Sequence, residues 1–145
     1  MGRFFFRVLF VACLSGLLAG ASQSAAAAPG PADLAAMRRV IEAQLQAIAR
    51  DDGEAAFSFA SPAIRERFGN ARAFLAMVRR EYAAVYRPSA VSFLDPRTEG
   101  GLTVYPVQLA DREGRVWLAL YSMQRLGRDW RISGCVLLAA DATAV

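Results

Sequence analysis

Two hydrophobic rhythms divide the chain. From Leu34 to Ile48 the apolar residues Leu34, Met37, Val40, Ile41, Leu45 and Ile48 recur three or four apart, with polar residues between them. That is the period of a helix with one buried face, and it predicts a helix running to Arg50 with Asp33 as its N-cap. Asp51-Asp52-Gly53 breaks the rhythm. It lacks the alternating oxygen ligands of a calcium loop and is read as a stop and restart. A short helix is expected over Glu54 to Phe59. Ser61-Pro62 is a cap followed by a first-turn proline, which predicts a helix through Phe68 closed by Gly69. Asn70 then caps a third main helix. Phe74, Val78 and Tyr82 form an i, i+4 row on it, flanked by Leu75 and Met77, and Tyr86 extends that row.

After Tyr86-Arg87-Pro88 the period falls to two. Val91 and Phe93 alternate with Ser92 and Leu94 up to Asp95-Pro96. Leu102 to Ala110 reads as a second strand interrupted by Pro106, Arg115 to Arg125 as a long third, and Trp130 to Leu138 as a fourth. Asp111-Arg-Glu-Gly114 and Leu126-Gly-Arg-Asp129 are the turns between them. Turns this short imply an antiparallel meander. A helical first half packed on one face of such a sheet is an α+β domain, with three N-terminal helices over about four strands.

The start of the chain follows neither rhythm. A short opening carries Arg3 and Arg7, Val8 to Gly20 is apolar, and Ala21 to Ala28 is rich in small residues. This is the order of a secretory signal peptide, and the apolar run falls short of the ~20 residues a spanning helix needs. Ala25-Ala-Ala27 satisfies the small-x-small rule, as does Ala19-Gly-Ala21. We therefore expect a leader over residues 1–27, a single domain over 28–145, and a periplasmic or secreted protein with no stable membrane insertion after cleavage. Ser22, Gln23 and Ser24 make a poor uncleaved span. Cys13 does not close the apolar run, as a lipid-attachment cysteine should.

Composition excludes more than it assigns. The chain has no histidine, and all 17 of its basic residues are arginine. Without histidine there is no Ser-His or Cys-His nucleophile and no histidine metal ligand. Without lysine there is no Schiff base and no phosphate-loop lysine. No metal site and no cofactor are expected. Cys135 is the one cysteine left after the leader, so no internal disulfide forms, and its apolar surroundings suit a buried thiol. Arginines alternate with acids along the chain, which is not the concentrated basic face of a nucleic-acid binder.

Several segments together resemble a bacterial family, domain of unknown function 4864. They are Ile41-Glu-Ala-Gln-Leu45, Asp51-Asp-Gly-Glu-Ala-Ala-Phe57, Phe59-Ala-Ser-Pro62, and Met77-Val-Arg-Arg-Glu-Tyr82 leading to Val85-Tyr-Arg-Pro88. Gly114-Arg-Val-Trp-Leu-Ala-Leu-Tyr121 and Trp130-Arg-Ile-Ser-Gly-Cys135 complete the set. The resemblance covers nearly the whole chain after the leader and keeps its order. It implies the nuclear transport factor 2-like superfamily, a helix-lined cone closed by a curved antiparallel sheet. It brings no activity and no catalytic residues, and that superfamily holds isomerases, dehydratases, binding modules and dimerisation domains.

Three functional readings follow. In the first, the cone holds a small apolar or amphipathic ligand or an envelope partner, bordered by Tyr82, Tyr86 and Tyr121 with Arg87 supplying charge. In the second, a cofactor-free isomerase or dehydratase transfers protons by carboxylate and phenol. Asp95 is then the first candidate base, by its parity with Val91 and Phe93, Glu81 the second, and Tyr121 the phenol. In the third, the domain is a structural homodimer. Val116, Leu118 and Leu120 lie on one face of the third strand and Trp117, Ala119, Tyr121 and Met123 on the other, so both faces need cover.

Overall fold

The computed structural model describes residues 27–140. The expected leader lies outside them but for its last residue. Helix α1 spans Pro31–Ala49. It begins at a first-turn proline behind Gly30, so Asp33 is not the cap. Instead the Gly30 N–H donates back to the Asp33 carboxylate at 3.3 Å, a capping-box contact from the third helical position. Asp51 ends α1 at φ +60°, a left-handed conformation that aspartate tolerates better than most residues. Asp52 then caps α2 (Gly53–Ser58) by accepting from Ala55 N–H. Ser61 caps α3 (Pro62–Phe68) and Asn70 caps α4 (Ala71–Glu81), each accepting from the N–H three residues on.

The third main helix does not run on to Tyr86. Tyr82 leaves helical geometry at φ −124°, ψ 47°, and a single turn, α5 (Ala83–Tyr86), follows in a new direction.

The sheet is an antiparallel meander. β1 (Ala90–Phe93) and β2 (Arg97–Glu99) both pair with β3 (Leu102–Ala110), which pairs with β4 (Val116–Leu126), which pairs with β5 (Asp129–Ala139). The fold is thus α+β, with helices followed by an open antiparallel sheet. β2 is three exposed residues with no apolar signal, so alternation does not reveal it. β1 and β2 are two halves of one edge, broken at Leu94-Asp95-Pro96. Pro106 sits opposite that break. Its carbonyl accepts from Leu94 N–H at 3.0 Å, so its missing N–H faces the same gap and β3 stays continuous. Gly100 and Gly101, both at positive φ, make the tight reversal from β2 to β3.

Odd positions of β3 and β4 face the helices. Tyr105, Val107, Leu109, Ala119, Tyr121 and Met123 meet Met37, Ile41, Leu45 and Ile48 of α1 and Phe74 and Val78 of α4 in one core. Phe74 stacks between Phe57 and Phe68, with ring centroids 5.4 and 5.9 Å away. On β5, Met123 pairs with Ile132 but Ser122 pairs with Gly134, so Ser133 is an extra, bulged residue. The bulge bends β5 where α3 docks, and Ile132 exchanges backbone hydrogen bonds with Phe59 and Ser61.

Candidate functional site

The break at Tyr82 and the bulge at Ser133 face each other. Between them the helices stand off the sheet and leave a cavity of about 330 Å³. At about 30 Å³ per water, that is room for roughly ten water molecules, at the lower end of ligand-site sizes. Ile48, Ile64, Phe68, Phe74, Met77, Val78 and Val85 give it an apolar wall. Tyr121 and Cys135 form part of the sheet side, and Arg67, Arg80 and Glu81 belong to the exposed side. Gln44, buried, adds an amide whose Nε2 donates to Ala56 O at 3.1 Å.

Two of the sequence-predicted tyrosines line this cavity. Tyr82 is half-buried, and its hydroxyl donates to the Cys135 carbonyl at 3.1 Å, tying the α4–α5 break to β5. Tyr121 is the largest fully buried side chain, and its hydroxyl has no hydrogen-bond partner among the described residues. The Cys135 thiol lies close enough to affect it electrostatically, yet no hydrogen bond of acceptable geometry joins the two. Burial raises the Tyr121 hydroxyl well above its ordinary range, and Cys135 reinforces the shift. Burial likewise pushes the Cys135 thiol up to about 12. Both groups are neutral at physiological pH.

The structure does not bring Tyr86 and Arg87 to the cavity. The turn at Tyr82 rotates them toward the end of α1, where they meet Asp51. Tyr86 Oη and Arg79 Nη2 each donate to Asp51 Oδ1 at 2.5 Å, Arg87 Nη2 donates to Oδ2 at 2.8 Å, and Arg87 Nε donates to Ala49 O at 3.1 Å. Both guanidiniums also stack on the Tyr86 ring, 5.3 and 4.7 Å from its centroid. The Arg79 hydrogen bond first, then that from Tyr86, holds the Asp51 carboxyl below its usual range. This knot fastens α1 to α4 and α5.

Asp95 lies on the other side of the sheet. It is exposed in the strand break and borders an outer groove with Leu94, Val104, Pro106, Leu118 and Leu120. Glu81 borders the cavity but is exposed and paired with Arg80 at 2.9 Å. The carboxylate–phenol pair that does form, Asp51 with Tyr86, is at the surface and saturated by arginines. Among the described residues no group of three acidic, cysteine or histidine side chains is placed to hold a metal.

The sequence patterns do not mark Cys135, Gln44 and Ser133 as wall residues, yet all three line the cavity. Cys135 carried the one usable signal, since in a meander with a two-residue turn its register against Tyr121 is nearly fixed. The bulge at Ser133 shifts that register by one and hides the pairing.

A search among curated proteins gives no match. One solved structure, an NTF-2 like protein of unknown function from Burkholderia xenovorans LB400, is similar over 77% of this chain and 88% of its own, at 15% identity and a TM-score of 0.48. A family model matches residues 31–145, and by that match the chain belongs to DUF4864, a domain of unknown function.

Proposed function

We propose that this domain is exported and binds a small, largely apolar molecule in the helix–sheet cavity without transforming it. The carrying observation is a cavity with one apolar wall beside a hydroxyl, that of Tyr121, without a partner among the described residues. A cavity this size between well-packed elements leaves dispersion contacts unmade, which a ligand would supply. Against proton-transfer chemistry stands the position of the carboxylates. Asp95 is on the far face of the sheet, and Glu81 is solvated and paired at the rim. Export rests on the leader pattern alone. N-terminal sequencing of protein recovered from the envelope or medium tests it, with a start between Ser22 and Ala28 expected and an intact Met1 overturning it.

A neutral naphthylamine fluorophore tests the binding reading. It should brighten with the wild-type domain and not with Val78→Phe, which fills the cavity. Equal brightening of both places the probe elsewhere and overturns the assignment.

A second reading, self-association through the outer sheet face, is favoured by one observation. Leu94, Leu102, Val136 and Leu138 are 42 to 55% exposed there, beside Leu118 and Leu120. Large apolar side chains gathered on one sheet face mark an interaction surface.

A further inference from the structure

Resting on the binding reading above, we propose that the ligand is a small apolar molecule carrying a neutral oxygen acceptor, such as a carbonyl, and that the Tyr121 hydroxyl selects it. A buried donor without an acceptor is costly, and among the described residues Tyr121 Oη is such a donor. The side chain is almost wholly buried, in the wall of the cavity. Its close neighbour, the Cys135 thiol, is a weak acceptor and leaves the phenol unsatisfied.

The acceptor is neutral because none of the described residues around Tyr121 compensates a charge. The arginines of the site, Arg67 and Arg80, are exposed, and Arg80 is paired with Glu81. An ionised carboxylate drawn in to Tyr121 would lose its hydration with no cation to replace it. A carbonyl loses much less and gains one buried hydrogen bond. The hydroxyl is sealed from solvent water, so a ligand reaches it only when a neighbouring wall side chain gives way, and Cys135, paired with Tyr121 across the strands, is the neighbour we assign to that movement. Tyr82 does not compete for the role, because its own hydroxyl proton is committed to the Cys135 carbonyl.

The test uses the full chain without its leader and three probes of equal chain length: methyl hexyl ketone, the parent alkane and the carboxylate. Each displaces the neutral naphthylamine fluorophore. The ketone should bind about tenfold more tightly than the alkane, the equivalent of one net hydrogen bond at about 1.4 kcal/mol. The carboxylate should bind most weakly. Tyr121→Phe should erase the ketone's advantage and leave alkane affinity unchanged. Cys135→Val, which blocks the approach to the hydroxyl, should reduce the same advantage and serves if the phenylalanine variant misfolds. Equal binding of ketone and alkane, a preference that survives Tyr121→Phe, or strongest binding by the carboxylate overturns the proposal while leaving a binding cavity. Failure of the fluorophore to bind overturns the binding reading itself.

Discussion

Tyr121 and Cys135 stand directly opposite each other across β4 and β5, and neither side chain gives the other a proper hydrogen bond. A phenol and a thiol, both uncharged, thus share one apolar wall. This pairing is the chemical centre of the candidate site, and it has consequences that do not require the ligand.

The thiol should be inert. With its pKa pushed up to about 12, Cys135 holds far less thiolate at neutral pH than a free cysteine at about 8.5. Alkylation by iodoacetamide should run about a thousandfold slower than for a small thiol, and should recover the ordinary rate in denaturant. Rapid labelling of the folded protein would show an open, ionised cysteine.

Removing the orphan hydroxyl should not weaken the fold. Tyr121→Phe deletes a buried donor that has no acceptor among the described residues, so the domain should hold its stability or gain about 1 kcal/mol. Urea denaturation measures this. A loss of that size instead would reveal a partner for the hydroxyl.

The aromatic stack on the helical side carries more. Phe74 is 6% exposed and touches Phe57 and Phe68. Phe74→Ala should cost about 3–5 kcal/mol, read as a lowered urea midpoint with an unchanged slope. A cost below about 1 kcal/mol would mean that the helical layer is loosely packed.

The fold was legible wherever burial wrote a period into the chain. The i, i+4 row from Phe74 to Tyr82 and the alternation from Trp117 to Met123 each identify an element and its buried face. The site was half legible for the same reason. Tyr82 and Tyr121 sit on those rows. Tyr86 continues the row in the sequence, but the backbone turns at Tyr82, and no residue type marks that turn. Asp95 shares parity with Phe93 only if the strand runs through it. The strand stops at Phe93, so parity does not place the carboxylate. The Asp51 knot joins residues up to 36 apart in the chain through charge, which has no period to read.

The outer sheet face should drive dimerisation. An isologous pair presents the same patch on both subunits, so one substitution introduces two charges into the interface. Sedimentation at micromolar concentration should give a dimer for the wild type and a monomer for Val136→Arg. A wild type that stays monomeric at high concentration removes the self-association reading.

Acid should weaken the fold through two carboxylates that salt tells apart. Asp51 is held below its ordinary range first by the Arg79 hydrogen bond, then by Tyr86. Asp111 is held down first by the Trp117 indole N–H, at 3.0 Å, then by the backbone and side chain of Arg115. A carboxyl whose folded value is depressed contributes stability that is present above its unfolded value, about 3.9, and is lost as pH falls through the folded one. The urea midpoint should therefore be level from neutral pH to about 5 and fall below about 4. Asp51→Asn and Asp111→Asn should each lower the neutral-pH midpoint and flatten the acid limb. Asparagine is the right replacement at Asp51, because it tolerates the φ of +60° there. Salt separates the two sites. The Asp51 side chain is 37% exposed and its pairs are screened, whereas that of Asp111 is 9% exposed and locked by neutral donors as well as Arg115. High salt should shrink the effect of Asp51→Asn and spare that of Asp111→Asn. Equal sensitivity of both would mean that the turn at Asp111 is held by charge rather than by its hydrogen bonds.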